Sequence, residues 1–157
     1  MTSARVGQRA DVDLPRRTLL SGVLFGCGAA AAMVDLFVFH LGLQWHHFYD
    51  RSTTAVALTA DGFLHAAAWL VTVWGLFLLA DVRRRGVVRW ARWTGAVLAG
   101  LGGFQLVDAV VNHKLLRLHQ VRYDVELLPY DVAWTGSAVV LLLVGLAVLR
   151  RTRPGRT

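Results

Sequence analysis

Residues 19–43 read LLSGVLFGCGAAAAMVDLFVFHLGL, a run with a single acid, Asp35, and no lysine or arginine. A helix rises about 1.5 Å per residue, so such a run crosses roughly 30 Å of hydrocarbon. Three further apolar runs, 62–80, 93–111 and 132–149, come close to the same length, and 55% of the 157 residues are hydrophobic against 17% charged. The apolar residues stand in blocks rather than in amphipathic stripes. This predicts an all-α fold: one integral membrane domain over 19–149, an up-down four-helix bundle with short loops, flanked by basic tails at 1–18 and 150–157.

The net charge of +7 would by itself suggest nucleic acid, but the basic residues are placed as topology markers. Arg5, Arg9, Arg16 and Arg17 precede the first span. Arg83, Arg84, Arg85, Arg89 and Arg92 fill the second loop, and Arg150, Arg151, Arg153 and Arg156 follow the last span. The positive-inside rule then sets both termini in the cytoplasm of a bacterial plasma (inner) membrane, with Arg51, Lys114, Arg117 and Arg122 in outward loops. The expected partner is the lipid bilayer, and no nucleic acid. Pro15 to Leu20 resembles a twin-arginine export signal, yet the apolar run continues past Ala29–Ala32 and reads as a retained helix. Cys27 is the only cysteine, so no internal disulfide and no paired-cysteine metal site is expected.

Asp35, His40 and His46 recur 73 positions later as Asp108, His113 and His119. An Asp at the centre of a membrane helix costs roughly 2.5 to 3.5 kcal/mol, so a repeated Asp-x4-His-x5-His pattern marks a working site. Asp61 and Asp131 open the second and fourth spans, seventy positions apart, and Gly75 falls on Gly145 with the same offset. The chain reads as a duplicated helical hairpin whose halves run in the same direction. The copies differ, since His47 is matched by Gln120 and His65 by Thr135. All six histidines and seven of the ten acids gather toward the outer ends of the helices.

At about 100° per residue, Asp35 and His46 share a helix face, as do Asp108 and His119, and Asp61 and His65. Asp35 and His40 diverge by about 140° and serve one centre only if the helix unwinds near Gly42 or if they address different neighbours. Gln105, Asp108, Asn112 and His119 form a narrow polar stripe. His40 and His47 share a face of their own, so two adjacent sites fit the spacing as well as one, and the expectation is a metal site with His40, His65 and His113 as first ligands. Asp35, Asp61, Asp108 and Asp131 supply further ligands or orienting carboxylates, and His46, His47 and His119 line the entrance. Nitrogen and oxygen donors without thiolate suit copper, zinc or non-haem iron, with bis-histidine haem a weaker variant.

The ordered motifs Asp35 to His40, LQWHH from Leu43, DGFLHA from Asp61, DAVVNH from Asp108 and LxxHQVR from Leu116 resemble a bacterial family of four-helix membrane proteins. The family is labelled domain of unknown function 2243, and the likeness spans roughly residues 22–149. The resemblance implies an inner-membrane protein, sometimes grouped with copper-delivering assembly factors, with respiratory oxidases or copper-handling membrane proteins as partners.

Two other readings compete with a metal site. Protonated Asp and neutral His can act as interhelical hydrogen-bond pins, worth about 0.6 to 2 kcal/mol each. Alternatively, Asp–His pairs can conduct protons or ions, although the inner halves offer almost nothing to extend a relay. Trp45, Phe48, Tyr49, Tyr123, Tyr130 and Trp134 read as an outer aromatic belt, with Trp90 and Trp93 on the inner side. The small residues Gly26, Gly28 and Ala29–Ala32, with Gly100, Gly102 and Gly103, predict a close approach of the first and third helices. Asp50, Asp124 and Glu126 read as solvated loop acids.

Overall fold

The computed structural model describes residues 2–153. Met1 and residues 154–157, with Arg156, lie outside the described residues, as do the side chains of residues 2–12, including Arg5 and Arg9, and those of Ala31 and Ala32. The chain forms α1 (Thr2–Ala29), continued by a wider helical segment π1 (Ala30–Gly42), then α2 (Thr54–Arg85). A second long helix, α3 (Trp90–Val107), widens into π2 (Asp108–Leu115), and α4 (Leu127–Arg151) ends the bundle. Four stretches are long and apolar enough to cross a membrane: Asp13–Gly42, Thr54–Arg85, Trp90–Leu115 and Leu127–Arg151.

These helices outrun the apolar windows of the sequence. The Thr53 hydroxyl accepts from the Val56 amide and starts α2 at Thr54, so Asp61 lies about two turns inside the helix rather than at its start. At the opposite end of the bundle the helices finish in charged surface. There Arg17 Nη1 donates to Asp81 at 2.9 Å and its Nε to Asp13 at 2.6 Å, while Arg85 reaches both acids.

Backbone approach sets the packing order. In α1, Gly28 lies against Ala68 and Thr72 of α2, and Gly75 of α2 faces the backbone of Ser21 and Phe25. In the other hairpin, Gly102 lies against Ala138 and Leu142 of α4, and Gly145 faces Gly95 and Ala99. Gly22, Gly26 and Gly100 bring α1 and α3 together, with a Cβ on Gly100 falling 2.4 Å from the Val23 carbonyl oxygen. Small residues allow this because lipid supplies no hydrophobic drive between helices, and close van der Waals contact must replace it. Among the described residues α1 and α3 form the central pair, α2 flanks α1, α4 flanks α3, and α2 does not touch α4. The expected approach of the first and third helices is present, although Gly103 faces open space.

The glycine contacts predict a sharp contrast between neighbouring positions. Gly145→Ala places its Cβ 2.4 Å from the Ala99 nitrogen, whereas Gly136→Ala meets nothing within 4 Å. Overpacking of this kind costs about 1 to 3 kcal/mol, so Gly145→Ala should lower the thermal midpoint in mild detergent by several degrees and Gly136→Ala should leave it in place. Equal midpoints for the two variants would contradict the helix contact.

Candidate metal centre

The widened segments decide the geometry of the site. Where the backbone bonds run from residue i to residue i+5, each turn takes more residues than in an α-helix, so residues five apart swing toward one face instead of standing about 140° apart. The ladder closes with Leu43 N to Val38 O at 2.8 Å in π1 and Leu116 N to Val111 O at 2.7 Å in π2. One step later the pattern opens to i+6, Trp45 N to Phe39 O and Leu118 N to Asn112 O, and Gln44 and Arg117 each turn the chain with φ of 51°. Asp35 and His40, five apart, thereby reach one side, and the left-handed turn brings His46 back over them. The same holds for Asp108, His113 and His119. The unwinding expected near Gly42 is a change of helical pitch that begins at Ala30.

Two buried triads result, Asp35–His40–His46 and Asp108–His113–His119, and in each the donor atoms of all three residues lie within 4.8 Å of one another. They stand back to back. The His46 and His119 rings stack at 4.7 Å with planes 5° apart, and His40 and His113 flank them at 4.7 and 4.6 Å from their own partners. Each central imidazole is tied to the other half: His46 Nδ1 lies 2.8 Å from the Val121 carbonyl oxygen, and His119 Nδ1 lies 2.9 Å from that of Phe48.

A carbonyl oxygen only accepts, so both Nδ1 atoms carry the proton, and a neutral ring then presents a bare Nε2 to its triad. His119 lies in the loop between α3 and α4. Burial pushes its pKa down to about 4, reinforced by His46 and His113 and opposed by Asp108, and this keeps the ring neutral.

In the first triad His40 Nδ1 donates to Asp61 Oδ1 at 2.9 Å, and a neutral ring then leaves its Nε2 bare as well. Asp35 therefore faces two imidazole lone pairs, His40 Nε2 and His46 Nε2, each 3.5 Å from one of its oxygens. Asp35 Oδ1, His40 Nε2 and His46 Nε2 are buried without a hydrogen-bond partner. A proton between such groups would draw them to about 2.7 to 2.9 Å. Donors bound at about 2.0 to 2.1 Å around a tetrahedral ion stand roughly 3.3 Å apart, close to what is found. Two imidazoles and one carboxylate match hydrolytic zinc sites and the facial set of non-haem iron, and they also suit copper(II).

Asp61 stands behind this triad, its Oδ1 2.9 Å from His40 Nδ1. Besides His40, it takes His47 Nδ1 at 2.7 Å and the Phe48 amide at 2.7 Å. In the second triad His113 Nε2 lies 3.0 Å from Asp108 Oδ2 and 2.9 Å from His119 Nε2, and Asn112 donates to Asp108 Oδ1 at 2.8 Å.

Two expected residues are not brought to either cluster. His65, expected as a first ligand, accepts from Trp69 Nε1 at 2.8 Å and packs edge-on against Phe37, on the outer side of α2. Asp131 pairs with Lys114 at 2.5 Å at the surface. His46 and His119, expected at the entrance, are members of the triads. Trp134, expected in the aromatic belt, is buried, with its ring 4.8 Å from Phe39 and 6.2 Å from His113. The carbonyls of Phe48 and Val121 were missed as acceptors, although each follows its histidine by two residues and they too stand 73 apart.

A family model described as "Predicted membrane protein (DUF2243)" matches residues 21–152. The chain belongs to this family. No curated protein and no solved structure matches it. Family membership makes this a multi-pass membrane protein, in keeping with its four spans, and the residues of both triads fall inside the match.

The bonds to the loop carbonyls fix tautomers that can be read directly. Nitrogen NMR of the protein labelled at histidine, in detergent near pH 7, should show the proton of His46 and of His119 on Nδ1. Protonation at Nε2 in either ring would overturn the assignment of donors.

Proposed function

We propose that this family member is a metal-binding protein of the bacterial inner membrane, holding copper, zinc or non-haem iron in its two Asp/His/His triads at the outer ends of the helices. One observation carries the reading: three buried acceptors, Asp35 Oδ1, His40 Nε2 and His46 Nε2, converge with no donor among them. A pin between helices needs a donor facing an acceptor. Acceptors facing acceptors repel, and a cation held by all of them offsets both the repulsion and the desolvation of the carboxylate. The conducting alternative finds less support. Thr18, Ser21 and Thr72, the buried hydroxyls of the inner half among the described residues, each donate to a nearby backbone carbonyl and do not extend the cluster inward.

The duplicated-hairpin reading is supported by matched geometry at an offset of 73: the left-handed turns at Gln44 and Arg117, the helix endings at Leu43 and Leu116, and the paired carbonyls of Phe48 and Val121. The orientation rests on charge. Arg83, Arg84, Arg85, Arg92, Arg150 and Arg151 crowd the bundle end opposite the triads, which the positive-inside rule assigns to the cytoplasm. Outward-facing triads can exchange ions with the periplasmic side. Copper delivery to a respiratory oxidase is the use implied by the family resemblance.

Metal analysis tests the central claim. The protein purified without chelator and offered copper, zinc and iron in turn should retain at least one of them stoichiometrically. His46→Ala should then lose at least one equivalent, while His65→Ala should keep the parent's metal content. A parent that retains none of the three, or a His65→Ala variant that loses metal as His46→Ala does, would refute the triads as ligands.

Topology has its own test. A cysteine introduced at Ser52, in the loop beside the first triad, should react with an impermeant maleimide in intact cells lacking an outer-membrane barrier. Reaction only after permeabilisation would reverse the orientation.

A further inference from the structure

The two triads share a pattern but differ in what surrounds them. In the first, the polar contacts of both Asp35 oxygens among the described residues are imidazole nitrogens, and the position matching Asn112 is Phe39, which has no donor. In the second, Asp108 Oδ1 already accepts from Asn112 at 2.8 Å. His40 is backed by the carboxylate of Asp61, itself held by His47 and the Phe48 amide. The residue seventy positions beyond Asp61 is Asp131, whose carboxylate is engaged by the Lys114 ammonium, and the match of His47 is Gln120.

Both differences act in one direction. A carboxylate behind an imidazole raises its basicity and fixes its orientation, and loss of such a partner costs about 10- to 100-fold in metal affinity. A carboxylate already bonded to an amide is a poorer donor to a cation than one left bare. Charge adds to this: a divalent ion in the first triad meets two carboxylates, Asp35 and Asp61, whereas Asp108 stands alone in the second, since Asp131, the match of Asp61, pairs with lysine. Donor spacing agrees. The contacts of Asp35 to its two imidazoles are both 3.5 Å, whereas His113 Nε2 and His119 Nε2 are only 2.9 Å apart, a distance one shared proton satisfies.

We propose that the triads are inequivalent ion sites. Asp35–His40–His46, backed by Asp61 and His47, holds a resident divalent transition-metal ion, and Asp108–His113–His119 takes a second, weakly held ion that exchanges with the outer side. This assignment rests on the metal-binding reading above and adds an order of affinity to it. The divergence between the halves is then functional: one half keeps its ion and the other passes one.

Zinc titration of the full chain, stripped with chelator and dialysed in mild detergent, tests the order by calorimetry. The parent should show two steps separated by at least tenfold in affinity. Asp61→Asn should weaken the tight step by about 10- to 100-fold and leave the weak one in place. Asp108→Asn should abolish the weak step and preserve the tight one. His47→Gln, which copies the residue found in the second half, should weaken the tight step by a smaller factor and serves if Asp61→Asn fails to fold. Two equal steps, one step lost in both Asp35→Asn and Asp108→Asn, or a tight step untouched by Asp61→Asn and His47→Gln, would overturn the order while leaving metal binding intact. A parent that binds no zinc, copper or iron would instead remove the metal reading itself.

Discussion

The exchanged bonds of His46 to the Val121 carbonyl and His119 to the Phe48 carbonyl are the constraint on which the site depends. Each reaches from the loop of one half to the loop of the other. Each sets which nitrogen carries the proton, and therefore which lone pair faces the neighbouring carboxylate. With the Asp50 amide bonded to the Leu118 carbonyl at 3.0 Å, they also hold two segments without regular structure against one another. Without them the imidazoles would be free to turn their N–H groups toward Asp35 and Asp108, and two hydrogen-bonded pairs would replace the convergent acceptors.

That arrangement is available only because the central helices meet closely and then widen. Gly22, Gly26 and Gly100 set the α1–α3 approach, which continues toward the triads and leaves the His46 and His119 rings in stacking contact. An α-helical continuation from Ala30 would turn His40 away from Asp35. The i+5 ladder keeps the backbone bonded while re-aiming the side chain, which is why such windings recur where function requires a residue to point off the α-helical wheel. A long π-helical run is an uncommon choice, and here one occurs in each half, 13 and 8 residues long, ending two residues beyond His40 and His113.

Much of this was legible in the sequence, for particular reasons. Four apolar runs gave the four helices, and the cost of a buried acid identified Asp35 and Asp108 before any geometry was known. The pairing of Asp35 with His40 was hidden because a wheel at about 100° per residue assumes the α-helical pitch. His65 was misplaced for a different reason. Residues four apart on an α-helix stand about 40° apart, and among the described residues α2 packs only against α1 and its continuation π1, so its buried face, running through Ala57, Asp61, Ala68, Thr72 and Gly75, is too narrow to include it. Trp134 looked like an interfacial residue in a linear reading, yet it is buried against Phe39, Ala109 and Val121. The pairing of Asp131 with Lys114 joins two elements separated by a loop, and no spacing rule in the sequence foresees it.

The same physics explains why the charged cluster lies at one end of the bundle. A carboxylate near the bilayer centre must be neutralised, whereas one near a helix end can be reached by loop amides, lysine and ions from the aqueous side. Asp61 is held by the Phe48 amide, Asp131 by Lys114 and Asp108 by Asn112, each a donor that α-helical backbone alone does not supply. Asp35 is the exception: buried as deeply as Asp61 and Asp108, it has as polar contacts among the described residues the imidazole nitrogens of His40 and His46. On the metal-binding reading, the remaining compensation for its charge comes from a species that accepts lone pairs from oxygen and nitrogen alike. A proton serves one such pair at a time. A transition-metal ion serves all three donors of the triad at once, and Asp35 is therefore the residue whose presence in the membrane is hardest to explain without one.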